Sequence, residues 1–147
     1  MDYDSRYIIF FLRIALGGLF FYDGLSKILT SNWSAVASLE QAVLLPQFFS
    51  WFADPVRIEL VSLLNQWGLL LIGIALILGL GVRLASAMGV ILMVLYYIMT
   101  LVFPIASGTG FLIDRHIIYL LVFVLLFVVR AGHFWGLDGR LIVRFEK

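Results

Sequence analysis

Cysteine is absent from all 147 residues. That absence removes disulfides, thiolate metal sites, iron–sulfur clusters and a protein-bound persulfide. Histidine is almost absent as well: His116 and His133 are the only two. They lie about 25 Å apart if the segment between them is helical, at opposite ends of one apolar run, so they cannot jointly ligate a haem within one subunit. Any redox cofactor must be diffusible or supplied by a partner, and no metal site is expected. Charge is also scarce. Charged residues make up 13% of the chain, against about 25% in average soluble domains. The net charge is +1 and the ten basic residues are spread singly. No phosphate-binding stripe results, and nucleic acid is not an expected partner.

What is abundant is hydrocarbon. The chain is 63% hydrophobic, well above the roughly 45–50% of soluble domains, so a lipid bilayer is its expected environment. Four stretches, 7–29, 60–80, 84–105 and 111–129, reach the length of about 20 residues needed to cross hydrocarbon as a helix. None has the period-2 alternation of a barrel strand, and helices satisfy every backbone amide internally. The turns "GLGVR" and "PIASGTG" separate spans two, three and four and are too short for anything but antiparallel neighbours. The predicted fold class is therefore all-α, a polytopic membrane protein forming one domain over 1–147 as an antiparallel four-helix bundle. The first span is expected to be retained. Its leading residues Asp2, Asp4 and Arg6 are not a basic n-region, and Asp23 and Lys27 interrupt its apolar run.

Between spans one and two, "SAVASLEQAVLLPQFFSWFADP" is apolar but broken by Pro46 and Pro55. Segment 30–59 thus predicts short helices in the headgroup layer, capping the outer end of the bundle. Asp54 before Pro55 is a helix-start signal, so span two is expected to begin in the interface. Four spans put both termini on one side with Arg6, Arg83, Arg130, Arg140, Arg144 and Lys147, against Lys27, Arg57 and Arg115 on the other. The positive-inside rule places the termini and the tail 130–147 in the cytoplasm.

Ionisable groups in the spans mark the candidate chemistry, because each costs about 2.5–3.5 kcal/mol at a helix centre. Arg13, Gly17, Phe20, Gly24 and Lys27 share one helical face, and the two glycines form notches for another helix. Asp23 is one turn before Lys27 and is expected to pair with it. The plainer readings are that Arg13 snorkels toward the interface, that Asp23–Lys27 fixes helix depth, and that Asp114 is a helix-start acid. Span four opens "FLIDRHIIY", so Asp114, Arg115 and His116 are expected at the same outer rim as Asp23 and Lys27. On a continuous helix Asp114 and His116 point roughly 200° apart and form no acid–imidazole couple, whereas Arg115 and Tyr119 share a face. A helix start with Arg115, His116 and Lys27 attracts a small anion. An apolar slot where Asp23 or His116 exchanges protons suits the head of a quinone arriving through lipid. Tyr22, Tyr96, Tyr97, Thr100 and Tyr119 are further hydrogen-bonding groups for its carbonyls.

"LRIALGGLFFYDGLSKI" resembles the first helix of the DoxX superfamily, with Arg13, Gly17, Gly24 and Lys27 at matching places. "LIGIALILGLGVRLAS" resembles the second helix and the arginine after its turn, here Arg83. "DRHIIYLLVFVLLFVVRAGHFWGLDGRL" is most similar to the DoxD branch, whose last helix starts with an acid and a histidine and ends in a glycine–leucine–aspartate tail. The resemblance implies a four-helix subunit of the prokaryotic cytoplasmic membrane, related to thiosulfate:quinone oxidoreductase, which oxidises thiosulfate to tetrathionate and reduces a membrane quinone. It favours Arg13, Lys27, Asp114 and His116 as site residues. Many relatives carry an acid near the position of Leu69, and "NQWGLLLIG" has none.

Two functions follow. In the first, the chain is an oxidoreductase subunit in which Arg115, Lys27, Arg13 and Tyr119 hold the substrate and His116, Asp114 and Asp23 handle protons. A quinone is its diffusible acceptor, and a second protein subunit or direct anion-to-quinone chemistry completes the reaction. In the second, it is a structural or assembly subunit of a larger respiratory or stress-response complex, or a homo-oligomer, with Gly17 and Gly24 as docking notches.

Overall fold

The computed structural model describes residues 3–102, 105–106 and 113–139. Four long elements form the bundle: α1 (Tyr3–Leu29), α4 (Ile58–Leu78), α5 (Val82–Thr100) and α6 (Arg115–Val128). Two short helices, α2 (Val36–Glu40) and α3 (Pro46–Ala53), fill the connection between α1 and α4. Helices α1, α4 and α5 are each long and apolar enough to cross a membrane. Helix α6 is apolar but has 14 residues, about 21 Å of helix. The tail beyond 139, with Arg140, Arg144 and Lys147, lies outside the described residues, as do 111–112 at the expected start of span four.

The α1–α4 pair is set by glycine. A Cβ on Gly24 would stand 2.5 Å from the backbone nitrogen of Leu70, and one on Gly73 would strike the backbone of Phe21. A Cβ on Gly17 would stand 3.0 Å from the side chains of Leu76 and Ile77. The two backbones therefore touch where only hydrogen fits, the close approach that small residues permit in lipid. This corrects the expectation that Gly17 and Gly24 are notches for another protein, because α4 of the same chain occupies both. Helix α6 packs along α5, with Gly89 against the ring of Phe123. Phe20, Leu69, Leu76, Met93, Phe123 and Leu126 form the centre of the core.

The turn between α4 and α5 is as tight as "GLGVR" implies. Leu80 N–H donates to Ala75 O (3.0 Å) and Gly79 N–H to Leu76 O (3.2 Å), the pairing of a Schellman cap. Gly79 and Gly81 adopt φ of +68° and +61°, a region costly for other residues. The free N–H groups at the start of α5 are then satisfied from far along the chain. Asp138 accepts from Gly81 N (2.7 Å) and Val82 N (3.1 Å).

The third span ends earlier than expected. Helix α5 stops at Thr100, and Leu101–Val102 pairs antiparallel with Ile105–Ala106 in a two-residue ladder. The cause is legible after the fact: Pro104 has no N–H to bond the carbonyl of residue 100, and it biases its predecessor toward extended backbone. Among the described residues the regular structure is thus helical apart from this short ladder. Residues 103–104 and 107–110, most of "PIASGTG", lie outside the described residues. Pro55 also acts differently than expected. It sits in a turn in which Arg57 N and Ile58 N donate to Asp54 O at 2.9 Å each, and the helix proper starts at Ile58.

Candidate functional site

The two ends of the bundle are chemically different. At one end Arg13, 1% exposed, donates to the carbonyls of Ala131 (2.8 Å) and Phe134 (3.1 Å) and lies 5.3 Å from the Phe10 ring centroid. The segment after α6 turns through a left-handed Arg130 (φ 50°) and a left-handed Trp135 (φ 50°), leaving carbonyls that no helix satisfies. Arg13 satisfies them. Trp135 then packs on Tyr7 at 4.6 Å, so residue 139 and the start of α1 lie at the same end. Arg13 is therefore not at the rim with Lys27; its guanidinium holds the C-terminal segment, about 20 Å along α1 from Lys27.

At the other end α4 and α5 diverge from their shared turn and leave a cavity of about 800 Å³. Its apolar roof comes from the α2–α3 segment, including Trp33, Leu39, Phe49 and Phe52. Val61 and Leu64 of α4 and Leu92 and Leu95 of α5 form apolar walls. Lys27, Arg115 and His116 all line it, with Asn65 and Tyr96 between them. The sequence expectation that the end of span one and the start of span four meet is met in this geometry. The capping role expected for 30–59 also has its physical basis here: Ala35, Leu39, Ala42 and Phe49 bury their side chains in a second small core, and Ser62 of α4 accepts from Ala35 N (3.1 Å).

Lys27 and His116, two of the ionisable groups at the cavity, each have a carboxylate partner. Lys27 Nζ pairs with Asp23 at 3.1 Å, as its helical spacing predicts. The same ammonium donates to Asn65 Oδ1 (3.2 Å) and Tyr96 Oη (3.4 Å), and lies 5.0 Å from the Trp33 ring centroid. An ammonium has three N–H donors, and all three have acceptors within the protein. Asp114 is the N-cap of α6, with Oδ1 accepting from His116 N (3.0 Å) and Ile117 N (3.3 Å). Its Oδ2 meets His116 Nδ1 at 2.5 Å. The expected separation of these two side chains is thereby corrected. A cap residue has extended backbone, here φ −122° and ψ −176°, so the 100° per residue of a helix does not apply to it. Both side chains are buried.

The seven candidate residues sort by place. Lys27, Arg115 and His116 face the cavity, and Asp23 and Asp114 are the carboxylate partners behind Lys27 and His116. Arg115 is exposed at the first position of α6. Tyr119 packs edge-on to Phe20 at 6.3 Å in the core, and Arg13 serves the other end. Tyr96 was legible as one of five candidate hydrogen-bonding groups for a quinone carbonyl, and Asn65 only as a polar group in the acid-free stretch before Leu69. Leu69, where the resemblance implies an acid, is 1% exposed in the core; the polar group that meets Lys27 is Asn65, one turn earlier.

These features define a multi-pass helical membrane protein with a mostly apolar cavity edged by a few convergent polar groups, the usual form of a small-molecule site. The DoxX family model matches residues 8–103, and the chain belongs to the DoxX family. No curated protein and no solved structure gives a significant match.

Proposed function

We propose that this chain is the membrane subunit of a quinone-linked oxidoreductase, with α6 as a fourth crossing and both termini cytoplasmic. The DoxD-like residues of α6 and its tail make thiosulfate the first candidate reductant. The contact of Trp135 with Tyr7 supports an even number of crossings.

One observation carries the reading: His116 and Lys27 line a single cavity, each backed by a carboxylate. Asp114 engages Nδ1 of His116, which leaves Nε2 as the nitrogen for proton exchange with a ligand. The apolar walls accept the ring and first tail units of a quinone. Arg115, with no ion-pair partner among the described residues, attracts the anion at the mouth. In the balanced reaction two thiosulfates lose one electron each and join through a new S–S bond as tetrathionate. The quinone takes up those two electrons and two protons and leaves as quinol. His116 is the proposed route for the protons. With no metal or flavin motif in the sequence, electrons pass directly between anion and quinone or through a second subunit. The assembly-subunit reading loses its argument from Gly17 and Gly24, since α4 fills both notches.

The test is thiosulfate-dependent reduction of a short-chain quinone by the protein purified in mild detergent with whatever subunit accompanies it. Wild type is expected to turn over and His116→Ala to fall by about 10²-fold or more. No reduction by wild type, or an unchanged rate in His116→Ala, overturns the proposal.

A further inference from the structure

We infer that Tyr96 is the hydrogen-bond donor that recognises the carbonyl of the cavity's ligand, and that Asn65 and Lys27 aim it. The inference rests on the quinone reading and adds which group reads the head. Its basis is an account of protons. Lys27 can only donate, so the Asn65 amide must turn Oδ1 toward Lys27 Nζ, 3.2 Å away. That fixes Asn65 Nδ2 toward Tyr96 Oη, at 2.5 Å. The phenol oxygen also accepts from Lys27 Nζ at 3.4 Å. Both of its lone pairs are then committed, and its own O–H has no acceptor among the described residues. Tyr96 lines the cavity, so an acceptor on the ligand completes the set. Its ring stands edge-on to His116, with centroids 6.0 Å apart at 83°, which puts one donor and one proton-exchanging nitrogen on adjacent rings.

The arrangement also suits charge that develops on a carbonyl oxygen. The ammonium of Lys27 stands directly behind the phenol and is held there by three acceptors, so no reorganisation is needed when negative charge builds on the far side of Tyr96. A hydrocarbon of the same shape gains nothing from this group, and that difference is what the experiment reads.

The probe is a benzoquinone bearing a decyl tail, added to the full chain in lipid nanodiscs. Binding is followed by quenching of tryptophan fluorescence, with Trp33 on the cavity roof as reporter. Decylbenzene, which lacks carbonyls, serves as competitor. Tyr96→Phe is expected to weaken the quinone about tenfold while the decylbenzene constant stays within twofold of wild type. That unchanged constant also establishes that the cavity is intact. If Tyr96→Phe binds neither molecule, Asn65→Leu is read by the same pair and is expected to weaken the quinone selectively. Equal quinone affinity in wild type and in the variant that retains decylbenzene binding overturns the inference and leaves the quinone reading standing. Wild type that binds the quinone no better than decylbenzene overturns both.

Discussion

Asp114 Oδ2 lies 2.5 Å from His116 Nδ1, across a helix start at which the same carboxylate also caps two backbone amides. One acid thus begins α6 and fixes the imidazole, and the two jobs are separable. Asp114→Asn retains a capping oxygen but loses the charge opposite Nδ1. It is expected to keep stability within about 1 kcal/mol of wild type while quinone reduction falls about 10- to 100-fold. Asp114→Ala adds the loss of the cap, about 1 kcal/mol more. Thermal unfolding in detergent and turnover, measured on the same preparations, separate the two effects.

The glycine contact between α1 and α4 gives a sharp contrast. Gly24→Leu drives a side chain into the backbone of Leu70 and is expected to abolish recovery of folded protein or to cost several kcal/mol, beyond the usual range for overpacking. Gly18→Ala, at a position with no atom within 4 Å of the added carbon, is expected to be neutral or to stabilise by up to about 1 kcal/mol through helix propensity. Size-exclusion profiles and melting temperatures of the two variants check this.

Arg13→Met keeps much of the side-chain volume but leaves the carbonyls of Ala131 and Phe134 without their donor. The expected cost is on the order of 3 kcal/mol, from two charge-assisted bonds lost in a buried site. Quinone affinity at the distant cavity is expected to stay unchanged in the fraction that folds. Melting curves with and without the quinone probe report both quantities.

The chain's lack of cysteine gives a clean background for topology. Tyr3, the first residue of α1, and Ser38, in α2 beyond the other end of α1, are both exposed and are the sites of Tyr3→Cys and Ser38→Cys. An impermeant maleimide added to intact cells is expected to label position 38 and not position 3. The reverse pattern overturns the orientation, and labelling of both overturns the assignment of the two ends to opposite faces.

Much of the architecture was legible because lipid restricts the choices. Long apolar runs become helices, and "GLGVR" between two of them becomes a turn. The pairing of Asp23 with Lys27 followed from helical spacing alone. What stayed hidden depended on places where the chain leaves the regular helix. Asp114 couples to His116 only because its own backbone is extended, and angular arithmetic on a continuous helix missed it. Arg13 read as part of a face shared with Lys27, yet helical phase says nothing about distance along the axis or about carbonyls freed by a left-handed turn 117 positions later. Tyr96 and Asn65 became partners through a tertiary contact between α4 and α5 that neither segment announces.

Asp138 closes the account with a matter of timing. The N-terminus of α5 receives its carboxylate from a residue 57 positions downstream of Gly81, so during synthesis the α4–α5 hairpin emerges with its bend unfinished. Only after α6 has left the ribosome does the clasp arrive. Until then the amides of Gly81 and Val82 lack that carboxylate, and completion of the bend waits for the segment that follows α6.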